Sequence, residues 1–146
     1  MQVEIKIDKT CDEPRVLILT DRVTDEVNEL LKRLSDTQVQ AIAGFRNNSL
    51  EILEPDQIVR ICTENQKVYA QTEGAKYLVK LRLYELEERL NKTVFVRISN
   101  SEIINLKKVV NMDLSYSGTI CVKLLGHITT FVSRRYIAKI KQVLGI

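Results

Sequence analysis

The chain has 146 residues, of which 45% are hydrophobic and 28% are charged, and its formal net charge at pH 7 is +3. This composition is typical of a globular protein with one domain, or with one domain and a short extension, and it excludes disordered and collagen-like chains. No apolar run approaches the roughly 18 residues of a membrane span, and the N-terminus has no secretory pattern, so we expect a cytoplasmic protein.

The N-terminal part predicts two short strands followed by one helix. Residues 3–7 alternate between apolar and polar side chains, and residues 16–19 form a short apolar run; both patterns indicate strands. Thr24 is a suitable N-cap because two acidic residues follow it in the first turn of the helix. The helix is amphipathic because apolar residues repeat at i, i+3, i+4 and i+7. These residues are Val27, Leu30, Leu31 and Leu34.

From residue 39 onward, many short strands separated by turn residues indicate a mainly β fold with small helices. We expect the first strands at residues 39–45, 50–53, 57–62, 67–72 and 77–82. A helix over residues 84–90 follows. Further strands are expected at residues 94–98, 103–105, 108–112, 119–124 and 127–132. Ser133 opens a last amphipathic helix, and Gly145 lies just beyond its end.

Positive charge is concentrated at the C-terminal end. From Arg97 onward there are eight Lys and Arg residues against two acids, a net charge of +6, whereas the preceding part has 14 against 17, or −3. Arg134 and Arg135 stand in the first turn of the last helix, where the helix dipole prefers anions. Charge alone supports equally a surface that binds a polyanion and a solvated basic surface.

The residues offer little for catalysis or metal binding. His127 is the only histidine, and we interpret it as a surface residue of a strand. Cys11, Cys62 and Cys121 are widely spaced and form no paired motif, so we expect reduced thiols, two of them packed in strands. We expect no metal, no cofactor and no enzymatic activity, because there is no zinc ligand set and no phosphate-binding glycine loop.

Three residue types near strand ends suit base recognition. An asparagine makes two hydrogen bonds to adenine, and an arginine makes two to guanine, along the major-groove edge. Asn100 lies in a polar cluster, and Gln66 lies beside Lys67 in a turn. Taken alone, Asn100 is more often a turn-stabilising residue than a base reader, so the combination with basic neighbours carries the interpretation.

Two C-terminal motifs, FVRISNSEIINLKKV and VSRRYIAKIKQVLGI, and the hairpin centred on Gly118 between them resemble the LytTR family of bacterial DNA-binding domains. The resemblance extends over about residues 50–146. It implies a transcription regulator with an elongated β-sandwich, preceded here by a short β/α extension. It further implies loops, rather than a recognition helix, that enter successive major grooves of DNA.

The resemblance also implies the roles of individual residues. The base-contacting positions of the family correspond to Gln66, Asn100 and Arg135. The residues that contact phosphate or support the loops correspond to Lys67, Arg97, Ser99, Ser101, Ser133, Arg134, Lys139 and Lys141. Two positions depart from the family pattern, since Ser99 stands where histidine is frequent and Glu102 stands where an apolar residue is usual. These departures affect which DNA sequence we expect the protein to recognise, and they do not affect the expectation that it binds DNA.

The expected domains are an N-terminal extension, residues 1–45, and a LytTR-like domain, residues 46–146. The chain resembles family members without a phosphorylated receiver domain, which implies a possible regulatory membrane protein as partner. We expect a homodimer on paired half-sites of double-stranded DNA, with the helix over residues 24–34 contributing to self-association. The alternative functions are a protein–protein interaction module that docks an acidic partner and, with least support, a small enzyme.

Overall fold

The computed structural model describes residues 1–35 and 41–146. It divides the chain into two units, Met1–Gln38 and Val39–Ile146. The expected boundary after residue 45 lies within the first strand of the second unit, and the division of the structure precedes that strand.

The described part of the first unit contains one helix, α1 (Asp25–Ser35). Its N-cap is Thr24, whose hydroxyl oxygen accepts a hydrogen bond of 3.3 Å from the backbone N–H of Val27. This bond satisfies one of the free N–H groups of the first turn. Glu29 and Arg33 form an exposed i, i+4 ion pair at 3.9 Å. The predicted helix and its cap are therefore confirmed.

The two strands predicted before α1 are wrong for this structure. Residues 3–7 and 16–19 are not in strands, and Val3, Ile5 and Ile7 are 86%, 92% and 86% exposed. An alternating sequence gives a strand an apolar face, but a strand also needs a neighbour for its backbone hydrogen bonds. None of the described residues provides such a neighbour for these segments.

The second unit confirms the mainly β fold. All strand pairs in its described part are antiparallel. The strands are β1 (Ile42–Arg46), β2 (Ser49–Leu53), β3 (Arg60–Glu64), β4 (Lys67–Gln71), β5 (Lys76–Val79), β6 (Phe95–Ser99), β7 (Glu102–Asn105), β8 (Val109–Asp113), β9 (Ile120–Leu124) and β10 (Ile128–Val132). The helices are α2 (Leu83–Arg89) and α3 (Arg134–Leu144).

Most strand ends differ from the predicted ones by one to three residues, and three positions illustrate the differences. The strand expected over residues 39–45 corresponds to β1, but residues 39 and 40 lie outside the described residues. Gln57 belongs to a single 3-10 turn, Pro55–Gln57, because its backbone N–H bonds to the carbonyl of Glu54. His127 is not a strand residue: its φ of 59° places it in the turn with Gly126, whose φ is 84°. Two successive residues with positive φ favour a tight hairpin turn, and β10 begins after it.

The strands form two sheets. The larger has the order β2-β1-β5-β4-β3-β7-β6, and the smaller has the order β10-β9-β8. Because side chains alternate across a strand, β6 and β7 each contribute to two cores, and β3 contributes to the first. One core places Ile61, Phe95 and Ile103 against α2, and the other places Val96, Ile98 and Ile104 against the small sheet and α3.

Two cysteines take part in this packing, as predicted. Cys62 in β3 and Cys121 in β9 are both buried and free. Burial raises the pKa of the Cys62 thiol, since a thiolate would lose its hydration. This thiol is therefore held in its unreactive, protonated form.

Glu102 is the buried polar residue that links the two sheets. It is 8% exposed, and one carboxylate oxygen lies 2.8 Å from Nη1 of Arg60 in β3. The other accepts a hydrogen bond from the hydroxyl of Thr130 in β10. In the family pattern described above, an apolar residue is usual at this position. Its acid is accommodated because both oxygens have partners, as a buried charge requires.

Candidate nucleic-acid interface

The β3–β4 turn holds the first predicted base-contacting residue. Glu64 and Lys67 are the last paired residues, and Asn65 and Gln66 form the turn between them with φ values of 49° and 66°. Positive φ at both central residues is the type I′ arrangement that fits the twist of a hairpin. The turn is tight, and it leaves the side chains of Gln66 and Lys67 exposed.

The β6–β7 turn contains the second predicted base-contacting residue, Asn100. Ser99 and Ser101 brace it, because their hydroxyl oxygens lie 3.3 Å apart and the backbone N–H of Ser101 donates to Ser99 Oγ at 3.2 Å. The backbone N–H of Thr63 in β3 donates to the carbonyl of Ser101 at 2.8 Å. This bond extends the β3–β7 ladder into the turn, so the turn containing Asn100 lies beside the end of β3 that leads to Gln66.

Arg97 fixes the backbone of the β6–β7 turn. Its Nε donates to the carbonyl of Ser99 at 3.0 Å, and its Nη2 donates to the carbonyl of Asn100 at 2.6 Å. Its Nη1 lies 3.0 Å from Oε2 of Glu87 in α2, and its side chain is 17% exposed. With all three nitrogens bonded and little exposure, Arg97 supports the turn.

Glu87 also bonds to α3. Its Oε1 lies 3.2 Å from Nζ of Lys139, so this carboxylate joins α2, the β6–β7 turn and α3. Burial raises the pKa of Glu87, but the hydrogen bonds from Arg97 and Lys139 outweigh it and lower the pKa below the ordinary value. In the DNA-free protein, the charge of Lys139 is therefore already partly neutralised.

The start of α3 meets the β6–β7 turn directly. The hydroxyl of Tyr136 donates to Oδ1 of Asn100 at 3.1 Å. The backbone N–H of Ser133 donates to the carbonyl of Ile98 at 2.8 Å, which fixes the helix start to β6. The amide of Asn100 is consequently oriented by a side chain from an element that is distant in sequence, while its Nδ2 has no partner in the described part of the chain.

Arg134 and Arg135 occupy the first turn of α3, and both are exposed. Arg134 lies over the β8–β9 hairpin: a Cβ at Gly118 would be 3.1 Å from its Nε. Glycine is required there because the φ of 71° is unfavourable for other residues. Arg135 has no hydrogen bond or ion pair with any residue that the structure describes. Ser133 is the N-cap but makes no side-chain cap bond, so its hydroxyl is unused.

Lys141 is exposed and stands apart from this group. It lies in the last turn of α3, about 9 Å along the helix axis from Arg135 at 1.5 Å per residue. A cation at this end stabilises the helix dipole. Lys141 therefore has a structural reason for its charge that Arg135 lacks.

A groove beside the predicted site contains two basic residues that the sequence analysis missed. Gln66, Lys67, Arg97 and Asn100 line this groove together with Lys80 and Arg82. The two additional residues follow β5 and precede α2, and Arg82 is the N-cap of α2. Their signal in the sequence was weak, because lysine and arginine at the end of a predicted strand are also common on solvated surfaces.

The structure gives no support to a metal site or to a membrane span in the residues that it describes. Residues 1–35 and 41–146 contain no group of three or more His, Cys, Asp or Glu side chains placed to hold a metal ion. None of the helices in these ranges is long and apolar enough to cross a membrane.

Comparisons with known proteins agree with this fold. The family model described as LytTr DNA-binding domain matches residues 48–145. Proteins named as HTH-type transcriptional regulators in Staphylococcus aureus strains NCTC 8325 and MRSA252 are 30% and 29% identical over 147 residues, covering 100% of this chain and 99% of each relative. A solved LytTr DNA-binding domain from Bacillus cereus has a TM-score of 0.70 at 19% identity, covering 73% of this chain and 97% of the other, which shows a shared fold.

The helix-turn-helix term in the names of these relatives does not describe the fold seen here. In the described part of this chain, α2 lies between β5 and β6, and α3 follows β10, so neither helix is directly followed by another. The match to residues 48–145 and the similarity over the length of the relatives show the family. The chain belongs to the LytTR family of DNA-binding domains.

Proposed function

We propose that this protein is a sequence-specific transcriptional regulator that reads successive major grooves of DNA through turns. Base contacts come from Gln66, Asn100 and Arg135. The observation that carries this proposal is the convergence of the predicted segments: the Tyr136–Asn100 hydrogen bond joins the start of α3 to the β6–β7 turn. The Thr63–Ser101 hydrogen bond joins that turn to the end of β3.

The chemistry of the three side chains supports this assignment. The amide of Asn100 retains an N–H donor and an acceptor lone pair, which is what the N7 and N6 edge of adenine requires. The guanidinium of Arg135 has no acidic partner among the described residues, so binding to guanine breaks no existing ion pair. Gln66 stands at the tip of a tight hairpin and offers the same amide geometry as Asn100.

The other residues of the interface fall into two groups. Arg97, Ser99 and Ser101 hold the β6–β7 turn in shape. Further basic residues of the groove, the N-cap Ser133 and exposed basic residues of α3 contact the phosphate backbone, which positions the protein without reading sequence. These phosphate-contacting residues are Lys67, Lys80, Arg82, Ser133, Arg134, Lys139 and Lys141.

Two copies bind paired half-sites as a homodimer, because linked binding events increase the overall affinity. The protein binds chromosomal DNA in the cytoplasm and catalyses no reaction. By resemblance to its family, a membrane protein regulates it.

Selection of duplexes from a random DNA library tests the proposed function. We expect enrichment of one sequence, and affinity for it that falls with salt on a log–log plot with a slope near −0.9 per neutralised phosphate. Absence of any enriched sequence, together with equally weak binding to all duplexes at low salt, would contradict the proposal. In that case the basic surface serves an acidic protein partner.

A further inference from the structure

Residues 3–7, with the sequence VEIKI, form a segment whose apolar side chains are exposed to solvent. Val3, Ile5 and Ile7 are each more than 80% exposed. Its three apolar residues are β-branched and favour strands, but no strand of the described chain lies beside it. An exposed segment of this kind, with free backbone N–H and C=O groups, is a site for pairing with another strand.

The charges of the segment identify which strand fits. Glu4 and Lys6 project to the face opposite the three apolar residues, because side chains alternate along a strand. Neither forms an ion pair with any described residue. If two copies of the segment run antiparallel with their centres at Ile5, Val3 lies opposite Ile7, and Glu4 lies opposite Lys6 of the other copy. Each apolar residue then lies opposite an apolar residue, and each charged residue lies opposite a residue of the opposite charge.

We propose that residues 3–7 pair with the same residues of a second copy of this chain, forming an antiparallel two-stranded ladder whose two-fold axis passes through Ile5. The arrangement supplies hydrogen-bond partners to both segments, sets six apolar side chains on one face and forms two Glu4–Lys6 ion pairs on the other. A two-fold interface of this kind is closed, so it gives a dimer and not a fibre. It is independent of the proposed DNA-binding function, because it forms without DNA.

Charge exchange tests the pairing in the intact protein by light scattering and sedimentation without DNA. We expect dimers at tens of micromolar. Glu4→Lys or Lys6→Glu alone places like charges opposite each other in both pairs and should weaken dimerisation on the order of tenfold, because like charges directly opposite each other destabilise a strand pair. The double variant, Glu4→Lys with Lys6→Glu, restores opposite charges and should dimerise like the parent.

Cysteine crosslinking tests the register in a Cys11→Ser background. Residues opposite each other have Cα atoms about 4.5–5.5 Å apart, within the range of a disulfide. Ile5→Cys should therefore crosslink to itself. Val3→Cys should not, because its own copy lies about 13 Å away along the strands at 3.3 Å per residue, but it should crosslink to Ile7→Cys in a mixture.

Three outcomes would overturn the proposal. The first is a monomer at tens of micromolar, which is the result if the segment covers other parts of its own chain. The second is a double variant no better at dimerisation than the single variants. The third is self-crosslinking of Val3→Cys as efficient as that of Ile5→Cys, which would indicate a parallel arrangement. None of these results depends on DNA binding, so the two proposals fail separately.

Discussion

Arg97 and Arg135 carry the same charge in opposite surroundings. Arg97 has hydrogen bonds or ion pairs from all three guanidinium nitrogens, to Ser99, Asn100 and Glu87. Arg135 is exposed and has none with the residues that the structure describes. Because an arginine that is already satisfied must break bonds to reach a ligand, Arg97 positions the turn, and Arg135 is free to contact a base.

Replacing Arg135 with alanine should abolish sequence-specific binding without unfolding the protein. Loss of one bidentate base contact costs about 1–3 kcal/mol, or roughly tenfold to a hundredfold in affinity for the selected duplex. Fluorescence anisotropy with selected and random duplexes measures the ratio of the two affinities. Arg89→Ala removes an exposed arginine from α2 and is the matched control. Unchanged selected-duplex affinity in a folded Arg135→Ala protein would remove Arg135 from the base-contacting set.

The hydroxyl of Tyr136 should matter for the same reason, since it orients Asn100. Asn100→Ala should relax the sequence preference, whereas Tyr136→Phe should reduce the affinity for the selected duplex by only about two- to tenfold, as expected for one hydrogen bond of about 0.5–1.5 kcal/mol. Tyr69→Phe, which alters a tyrosine of β4 that does not line the groove, is the control. If Asn100→Ala weakens selected and random duplexes equally, Asn100 contacts the backbone and does not read bases.

At the scale of elements, Glu87 determines how α2, the β6–β7 turn and α3 are held together. Its carboxylate joins Arg97, which shapes the turn, to Lys139, which is available to phosphate only when it leaves this pair. In the proposed function, this one acid supports sequence reading and at the same time weakens general attraction to DNA.

Glu87→Gln should separate these two effects. Affinity for random duplexes should rise, with a salt slope steeper by up to about one, because the charge of Lys139 is no longer neutralised. The ratio of selected to random affinity should fall, because Arg97 loses its anchor. Glu85→Gln, an acid on the same helix with no ion pair in the described structure, is the control. A variant with an unchanged ratio would show that Arg97 holds the turn without Glu87.

The same carboxylate should make stability depend on pH. Because the folded-state pKa of Glu87 is below the ordinary value of 4.5, its contribution is present above pH 4.5 and is lost as the pH falls through the folded-state pKa. Urea unfolding of the parent and of Glu87→Gln from pH 7 to pH 3 measures this effect. The difference in the free energy of unfolding should shrink below pH 4.5, and a difference constant over this range would contradict it.

The sequence predicts a strand well when its hydrogen-bonded neighbour is close in the chain, and poorly when that neighbour is distant or absent. Strands such as β3 and β4 are joined by two residues, so the apolar pattern and the turn residues together located both strands, although β3 begins three residues later than predicted. Residues 3–7 have the same pattern but no neighbour in the described chain, and the predicted strand is absent. The bonds of Glu87 to Arg97 and Lys139 span ten and 52 residues, and no local pattern encodes such separations.

At the scale of the whole molecule, the two proposals assign different parts of one binding event to the DNA-binding unit and the extension. In them, each copy of the domain reads one half-site, and pairing of residues 3–7 joins two copies. The apolar stripe of α1, which we expect to contribute to self-association, remains a prediction. Joining two DNA-binding domains makes the binding of the second domain intramolecular. Its effective concentration then reaches the millimolar range for short flexible connections.

The charge variants of the extension should therefore change cooperativity and leave half-site affinity unaltered. On a duplex with two half-sites, the parent should bind at least tenfold more tightly than on a duplex with one. Glu4→Lys should lose most of this gain, and Glu4→Lys with Lys6→Glu should regain it, while all three proteins bind the single half-site alike. Quantitative gel-shift titration on both duplexes measures these affinities. If Glu4→Lys retains full cooperativity although it is monomeric in solution, the contact between two DNA-bound copies lies elsewhere, and the stripe of α1 is the next surface to vary.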